Sequence, residues 1–479
     1  MHRVLLLQDT VEQIVDFIIS YKGTTECRDL LGFALTCKTL SEVALSALWA
    51  KVQDFHRLLR LIPAYEDSGE GTWKFTRPLE KHDLSRFVYY SRRVKELYIS
   101  HTGTRMDLHS IFEYFRAFEH DIELFPRVRF LCFDAYTFHG PDALLMIKSH
   151  LHSQLEILWI NIAMATRSIH LELPELIREL SRTPPPRLTT ITMPQFTFTP
   201  LTAKLLAQIT SLRKLTIAMH PMTGEDSLDS LDALGRLWHL PLMMDLSVYL
   251  QGTSVLADAD STPDIISYER PSVAHQAYYG SVRVLHTLAS RTPDAQRLKF
   301  IAFTNGTGDE WDAVFDALFQ RRTETLQALI VQDLQNQASL PPATAMLRMP
   351  KFGSLRDLTI SLPYDWTDEV IEHIARSCPA LTYLNLLYYY SGSGRKVSTT
   401  SSALLSLALM CAQLESLHIH VNPTRQPSSP PVNPQGFDGN LSVVNLEIRF
   451  LPAFSPRPSF ERFAKSLFPG LQSLVVGNA

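Results

Sequence analysis

The chain has 479 residues, 45% hydrophobic and 20% charged, with 45 Lys and Arg against 49 Asp and Glu for a net charge of −4. A chain this apolar is not a disordered one, and a charge this balanced argues against general nucleic-acid binding, which needs a concentrated basic surface. The five cysteines, at 27, 37, 132, 378 and 411, are odd in number, widely spaced and free of any CxxC or Cys/His quartet, so they indicate neither a disulfide scaffold nor a zinc module and suit the reducing cytoplasm or nucleus.

The first residues hold only the short apolar run Val4-Leu5-Leu6-Leu7, too short for a secretory signal. The chain lacks the long apolar run that a membrane-spanning helix requires, so no membrane partner is expected. In residues 9–19, Val11, Ile14, Val15 and Ile18 form the i, i+3, i+4, i+7 stripe of an amphipathic helix, and Thr10 with Gln13 matches a capping box. Residues 21–25 break it. A second apolar stretch runs from Leu30 to Cys37. Thr39 and Glu42 suggest another capping box, leading a helix that carries Val43, Ala44, Leu45, Ala47, Leu48 and Trp49. Three short helices over residues 1–52 make a unit too small to bury much core alone, so it should dock on something.

These residues carry a resemblance. A Leu-rich start, a helix ending Ile14-Val15-Asp16-Phe17-Ile18, then Leu30-Leu31-Gly32-Phe33-Ala34-Leu35-Thr36-Cys37-Lys38 and Ala44-Leu45-Ser46-Ala47-Leu48-Trp49, looks like the F-box, in the variant common in large fungal families. Gln8 stands where the family usually has Pro, and Leu40 where it often has Trp. The resemblance implies binding to the Skp-type adaptor of cullin–RING ubiquitin ligases. Leu5, Leu7, Ile14, Phe17, Leu35, Leu40, Leu45 and Trp49 are its candidate contacts. The alternative is that these side chains only fill the bundle.

Beyond linker helices expected over 53–90, residues 91–479 repeat one motif: apolar, two residues, apolar, one residue, apolar. Thirteen copies run from Val94/Leu97/Ile99 through Val128/Leu131/Phe133, Met243/Leu246/Val248 and Leu298/Ile301/Phe303 to Leu471/Leu474/Val476. Apart from the step of 55 between Met243 and Leu298, their spacing averages about 29, near the upper end of leucine-rich repeats. The long step suggests a hidden degenerate unit plus an insertion. Helix-like stretches such as Ile111/Phe112/Phe115/Phe118 and Val370/Ile371/Ile374 alternate with the triplets. No such unit buries its apolar face alone, but stacked neighbours do. The expected fold is therefore α/β: a three-helix F-box followed by an irregular leucine-rich-repeat solenoid, or horseshoe. Loops are expected near 251–280, 391–402 and 421–440, where Pro, Ser, Gly and Asn collect.

If the triplets point inward, the residue between the second and third faces out. That column reads Tyr98, Cys132, Trp159, Thr192, Thr216, Ser247, Ala302, Ile330, Thr359, Asn385, His418, Glu447 and Val475, and the next adds Tyr249, His420 and Arg449 among others. Aromatics amid small polar residues suit a protein partner, whereas a nucleic-acid track would repeat Arg or Lys. Tyr98, Trp159, Tyr249, Asn385, His418 and Arg449 are the substrate-contact candidates. The nucleophile, phosphate-loop, zinc-protease and dinucleotide motifs are missing, so no enzyme and no cofactor is expected. His418 and His420 lack a third ligand for a metal, and the same holds for His150 and His152. Cys37 reads as a small core residue. The expected role is substrate recognition in a Skp–cullin–F-box ubiquitin ligase, with an unknown protein substrate and no nucleic acid. The alternative is a leucine-rich-repeat interaction scaffold not linked to ubiquitin.

Overall fold

A computed structural model of the chain describes residues 8–20, 26–69, 71–100, 105–118, 123–134, 154–161, 167–219, 226–250, 273–303, 306–320, 324–334, 343–388, 397–422, 440, 442–450 and 458–478. They fall into two compact units, Met1–Ala218 and Met219–Ala479. Among the described residues no helix is long and apolar enough to cross a membrane.

The first unit opens with α1 (Gln8–Ser20), α2 (Glu26–Ala34) and α3 (Lys38–Leu48). Val11, Val15, Leu30, Ala34, Leu40 and Ala44 form their buried core, each at most 6% exposed. Neither expected capping box exists. Thr10 lies inside α1. Cys37, extended at φ −162° and ψ 163°, is the N-cap of α3, and its carbonyl accepts from Ser41 N at 2.9 Å. Starting α3 at Lys38 frees Glu42, which accepts from Tyr89 OH at 2.9 Å and Arg93 Nη2 at 2.5 Å. Half-buried Cys37 is thus a helix-cap residue rather than a core one.

The chain then enters β1 (Lys51–Val52), which pairs in parallel with β4 (Glu96–Ser100). The Ala50 carbonyl accepts from both Lys95 N and Glu96 N at 2.8 Å. Residues 53–90 hold more than linker helices. Between α4 (Phe55–Leu59) and α5 (Ser85–Ser91) stands an antiparallel hairpin, β2 (Tyr65–Asp67) and β3 (Thr72–Phe75), extended by β5 (Arg105–Met106). After α6 (Leu108–Phe118) come β6 (Phe130–Asp134), β7 (Ile157–Asn161), α7 (Arg167–Arg182), β8 (Thr190–Phe198), α8 (Pro200–Leu206) and β9 (Lys214–Met219). The parallel strands of this unit lie in the order β1-β4-β6-β7-β8-β9.

In the second unit α9 (Asp226–Trp238) precedes β10 (Asp245–Leu250) and β11 (His275–Gly280). Helices and strands then alternate: α10 (Val282–Arg291), β12 (Arg297–Ala302), α11 (Gly308–Phe319), β13 (Ala328–Asp333), a 3-10 turn (Thr344–Arg348) and β14 (Asp357–Ser361). The last elements are α12 (Asp368–Ser377), β15 (Tyr383–Asn385), α13 (Ser401–Met410), β16 (Ser416–His420), β17 (Asn445–Phe450), α14 (Pro458–Leu467) and β18 (Ser473–Asn478). Strands β10 to β18 pair in unbroken chain order, all in parallel. Parallel neighbours need a crossover, and the helices supply it while covering the apolar side of the strands. Polar N-caps start several of them: Thr307 and Glu310 form a reciprocal capping box on α11, and Ser281, Thr367 and Thr400 accept backbone N–H groups of α10, α12 and α13.

Eleven of the thirteen expected triplets coincide with strands, their first residue just ahead of the strand, and are buried, none of their residues more than 3% exposed. The last copy, Leu471/Leu474, is half-buried on the outermost strand of the order. The Leu298/Ile301/Phe303 copy is out of frame. Leu298 aligns with Gln276 and Leu329, and Phe300 with Tyr278 and Val331. The inward residues are therefore Ala295, Leu298 and Phe300, at 6%, 6% and 0% exposed, while Phe303 is 37% exposed. Both frames read as apolar in this segment, and a strand's period of two lets only one face the core. Ala302 accordingly leaves the outward column and Lys299 takes its place.

Two strands of the β1-to-β18 parallel order escaped the motif: β1, only two residues long, and β11, the hidden unit within the 55-residue step. Residues 275–280 are thus strand rather than loop. In β11 the middle apolar position is Gln276, 2% exposed. Its Oε1 is satisfied by a buried relay: Trp238 Nε1 donates to Tyr278 OH at 2.7 Å, and Tyr278 OH donates to Gln276 Oε1 at 2.9 Å. The loop expected near 391–402 ends earlier, since α13 starts at Ser401. Most of the expected loops, 251–272, 391–396 and 423–439, lie outside the described residues.

Candidate functional site

Two surfaces present side chains in excess of what the fold consumes. The first is on the helical trio. Val11, Ile14, Val15 and Ile18 of α1 turn toward its partners, which leaves Phe17 on the other side at 69% exposed. Leu31 and Leu35, one turn apart and joined by the Leu35 N to Leu31 O hydrogen bond of 3.1 Å, are 47% and 77% exposed. Of the expected adaptor contacts, Phe17 and Leu35 are the most exposed. Ile14 and Leu45 are half-buried. Leu40 is a correction: at 5% exposed it belongs to the trio's core, because it shares with Ala44 the face of α3 turned inward. Trp49 is half-buried with its ring 4.8 Å from that of Tyr90 and so serves the joint with α5. Leu31 was missed because the pattern did not separate it from its buried neighbour Leu30. Leu5 and Leu7 lie outside the described residues.

The second surface is the side of the strands that is helix-free among the described residues. In the first unit Tyr98, Cys132, Trp159 and Thr192 occupy one cross-strand row. Tyr98 donates to Glu96 Oε2 at 3.3 Å, carries Lys51 Nζ 5.3 Å from its ring centroid, and lies 5.0 Å from the Phe130 ring. Trp159 is 42% exposed. Burial, reinforced by the Asp134 charge, pushes the Cys132 thiol up to about 11, so it is protonated and unreactive at neutral pH.

In the second unit Asn385, His418 and Glu447 share a row, with Arg449 beside them. Asn385 is engaged locally, its Oδ1 accepting from Leu387 N at 3.0 Å and its Nδ2 donating to Tyr383 OH at 3.3 Å. His418 Nδ1 lies 2.8 Å from Glu447 Oε2, and Arg449 Nε donates to Glu447 Oε1 at 2.8 Å. Burial alone would raise the Glu447 carboxyl, but these bonds outweigh it and hold it below the usual carboxylate range. His420 is 1% exposed, with Nε2 3.3 Å from the Tyr388 carbonyl, so His418 and His420 sit in different surroundings. Among the described residues no three His, Cys, Asp or Glu side chains gather as a metal site. His150 and His152 lie outside them.

Tyr249 faces its β11 register partner Tyr279 in a stack, 4.1 Å between centroids and 9° between planes. Phe303 continues the ladder 6.0 Å from Tyr279 at 19°. Tyr279, Phe303 and Lys299 were not singled out as contacts, since the hidden strand and the frame slip at β12 concealed them. The chain matches no known family profile and no curated protein with which it was compared.

Proposed function

We propose that this chain is a substrate-recognition subunit of a Skp–cullin–F-box type ubiquitin ligase, acting in the cytoplasm or nucleus. The helical trio is its F-box, and the strand ladder is a leucine-rich-repeat array that holds a protein substrate. The observation that carries the reading is the set of large apolar side chains the trio leaves in solvent: Phe17 at 69%, Leu31 at 47% and Leu35 at 77% exposed, beside a core already filled by Val11, Val15, Leu30, Ala34, Leu40 and Ala44. Apolar side chains in this surplus on short helices suit a partner groove. The chain then performs no bond chemistry. Its contribution is to raise the effective concentration of the substrate near the ubiquitin carrier.

The test is co-expression of the full chain with a Skp-type adaptor. Co-elution of the two as a stoichiometric complex is the expected result, and separate elution of a folded chain rejects the reading. A second reading, a repeat scaffold unrelated to ubiquitin whose first helices cap the sheet, draws on the pairing of β1 with β4 and the bonds of Glu42 to Tyr89 and Arg93. Under that reading the adaptor never binds.

A further inference from the structure

On β12 every second side chain lies on the helix-free face: Arg297, Lys299, Ile301 and, one step past the strand, Phe303. Arg297 is exposed and Lys299 half-buried, and neither forms a salt bridge among the described residues. Lys299 Nζ lies 6.0 Å from the Tyr279 ring centroid. The nearby acids do not neutralise this pair. Asp245 is occupied by His275 Nδ1 at 2.5 Å. Asp357, two strands over, has its carboxyl raised by burial, a rise that the field of Arg297 partly opposes.

Each cation has one small cross-strand neighbour: Arg297 lies between Ala328 and His275, and Lys299 between Ala277 and Ile330. Toward the C-terminal ends of the strands the same face turns apolar. The Tyr249–Tyr279–Phe303 stack is followed by Leu334, 61% exposed. The sheet hydrogen bonding continues to these residues, with Phe303 N donating to Gly280 O at 3.0 Å and Leu334 N to Ala302 O at 3.1 Å, so they are held in register with the strands. The strip thus runs from two cations to an apolar, aromatic end over about 20 Å at ~3.3 Å per residue.

From this polarity we infer that the β12 strip binds a segment of a protein partner in which carboxylates precede a large apolar residue. The carboxylates pair with Arg297 and Lys299, and the apolar side chain rests against Tyr279, Phe303 and Leu334. Tyr249 and Phe303 stack on the Tyr279 ring from its two neighbouring strands, which leaves little open ring face for a nucleic-acid base. This inference rests on the protein-binding reading of the strand face and not on the ubiquitin link.

The test is fluorescence anisotropy of the full chain with a fluorescein-labelled peptide, EDEGSLF, against the charge-reversed KRKGSLF, the truncated EDEGSGG and an oligothymidylate. EDEGSLF is expected to bind tightest. Lys299→Glu and Arg297→Glu should each weaken it at least about fivefold, and added salt should weaken it further. Phe303→Ala should weaken it while leaving the salt dependence in place. The substituted side chains lie on the open face, and circular dichroism melts verify that each variant is folded. Equal binding of all peptides, tighter binding of KRKGSLF or the oligothymidylate, or indifference to Lys299→Glu in a folded chain overturns the inference. Adaptor co-elution is read separately: its loss alone rejects the ubiquitin reading, and loss of peptide selectivity alone rejects the strip.

Discussion

The adaptor surface admits a quantitative test through Phe17 and Leu35. Both side chains are mostly in solvent, at 69% and 77% exposed, so replacing each with Asp removes little packing from the fold. Surface changes of this kind alter stability by about 0.5 kcal/mol or less each. In a partner groove the accounting is different. Burying one such side chain contributes about 1.5–3 kcal/mol, so losing two removes roughly 3–6 kcal/mol, a weakening of at least a hundredfold. Phe17→Asp with Leu35→Asp should therefore abolish adaptor binding in calorimetry while the melting curve barely moves. Leu40→Ala is the contrast: at 5% exposed it should destabilise the trio by about 2–5 kcal/mol, and any loss of binding should follow unfolding. An unchanged dissociation constant for the doubly substituted chain refutes the assignment. So does a large drop in its melting temperature, which would mean that both side chains pack in the core.

Three further predictions concern the frame that holds these surfaces. Tyr278→Phe cuts the relay from Trp238 to Gln276 and leaves buried polar groups without their bonds, so denaturant unfolding should report a loss of about 1–3 kcal/mol. A Cβ on Gly306 would collide with Val282 and reach 3.0 Å from Trp311 Nε1, so Gly306→Ala should lower the melting temperature, whereas Gly353→Ala, with open space around it, should not. Asp83 accepts two bonds from Arg77, at 2.7 and 2.6 Å, and one from Glu80 N at 2.9 Å, which lower its carboxyl to about 2. A depressed folded value stabilises above the unfolded range and fades as pH falls through the folded one. The melting difference between wild type and Asp83→Asn should thus be full near neutrality, shrink below about pH 4, the free aspartate range, and vanish near pH 2. A difference that persists at low pH contradicts this.

How far the sequence reached depended on range. Hydrophobic period alone located the helical trio and eleven buried triplets, because residues two apart on a strand and three or four apart on a helix must share a face wherever the chain lies. It also pointed to a degenerate unit in the step from Met243 to Leu298. What it left open were choices made between distant parts. Gln276 occupies a core position where Tyr278, on its own strand, donates to its Oε1 and is in turn held by Trp238 from a helix. The β12 frame was settled by neighbours β11 and β13, which pin Phe300 inward and release Phe303. Leu40 turned inward and Phe17 outward when three helices picked their common face, and Glu42 left its expected cap for Tyr89 and Arg93, which come far later in the chain. Local periodicity is written residue by residue, but the side a face turns to, and the side chains it leaves for a partner, are determined only when segments distant in the chain compete for the same buried space.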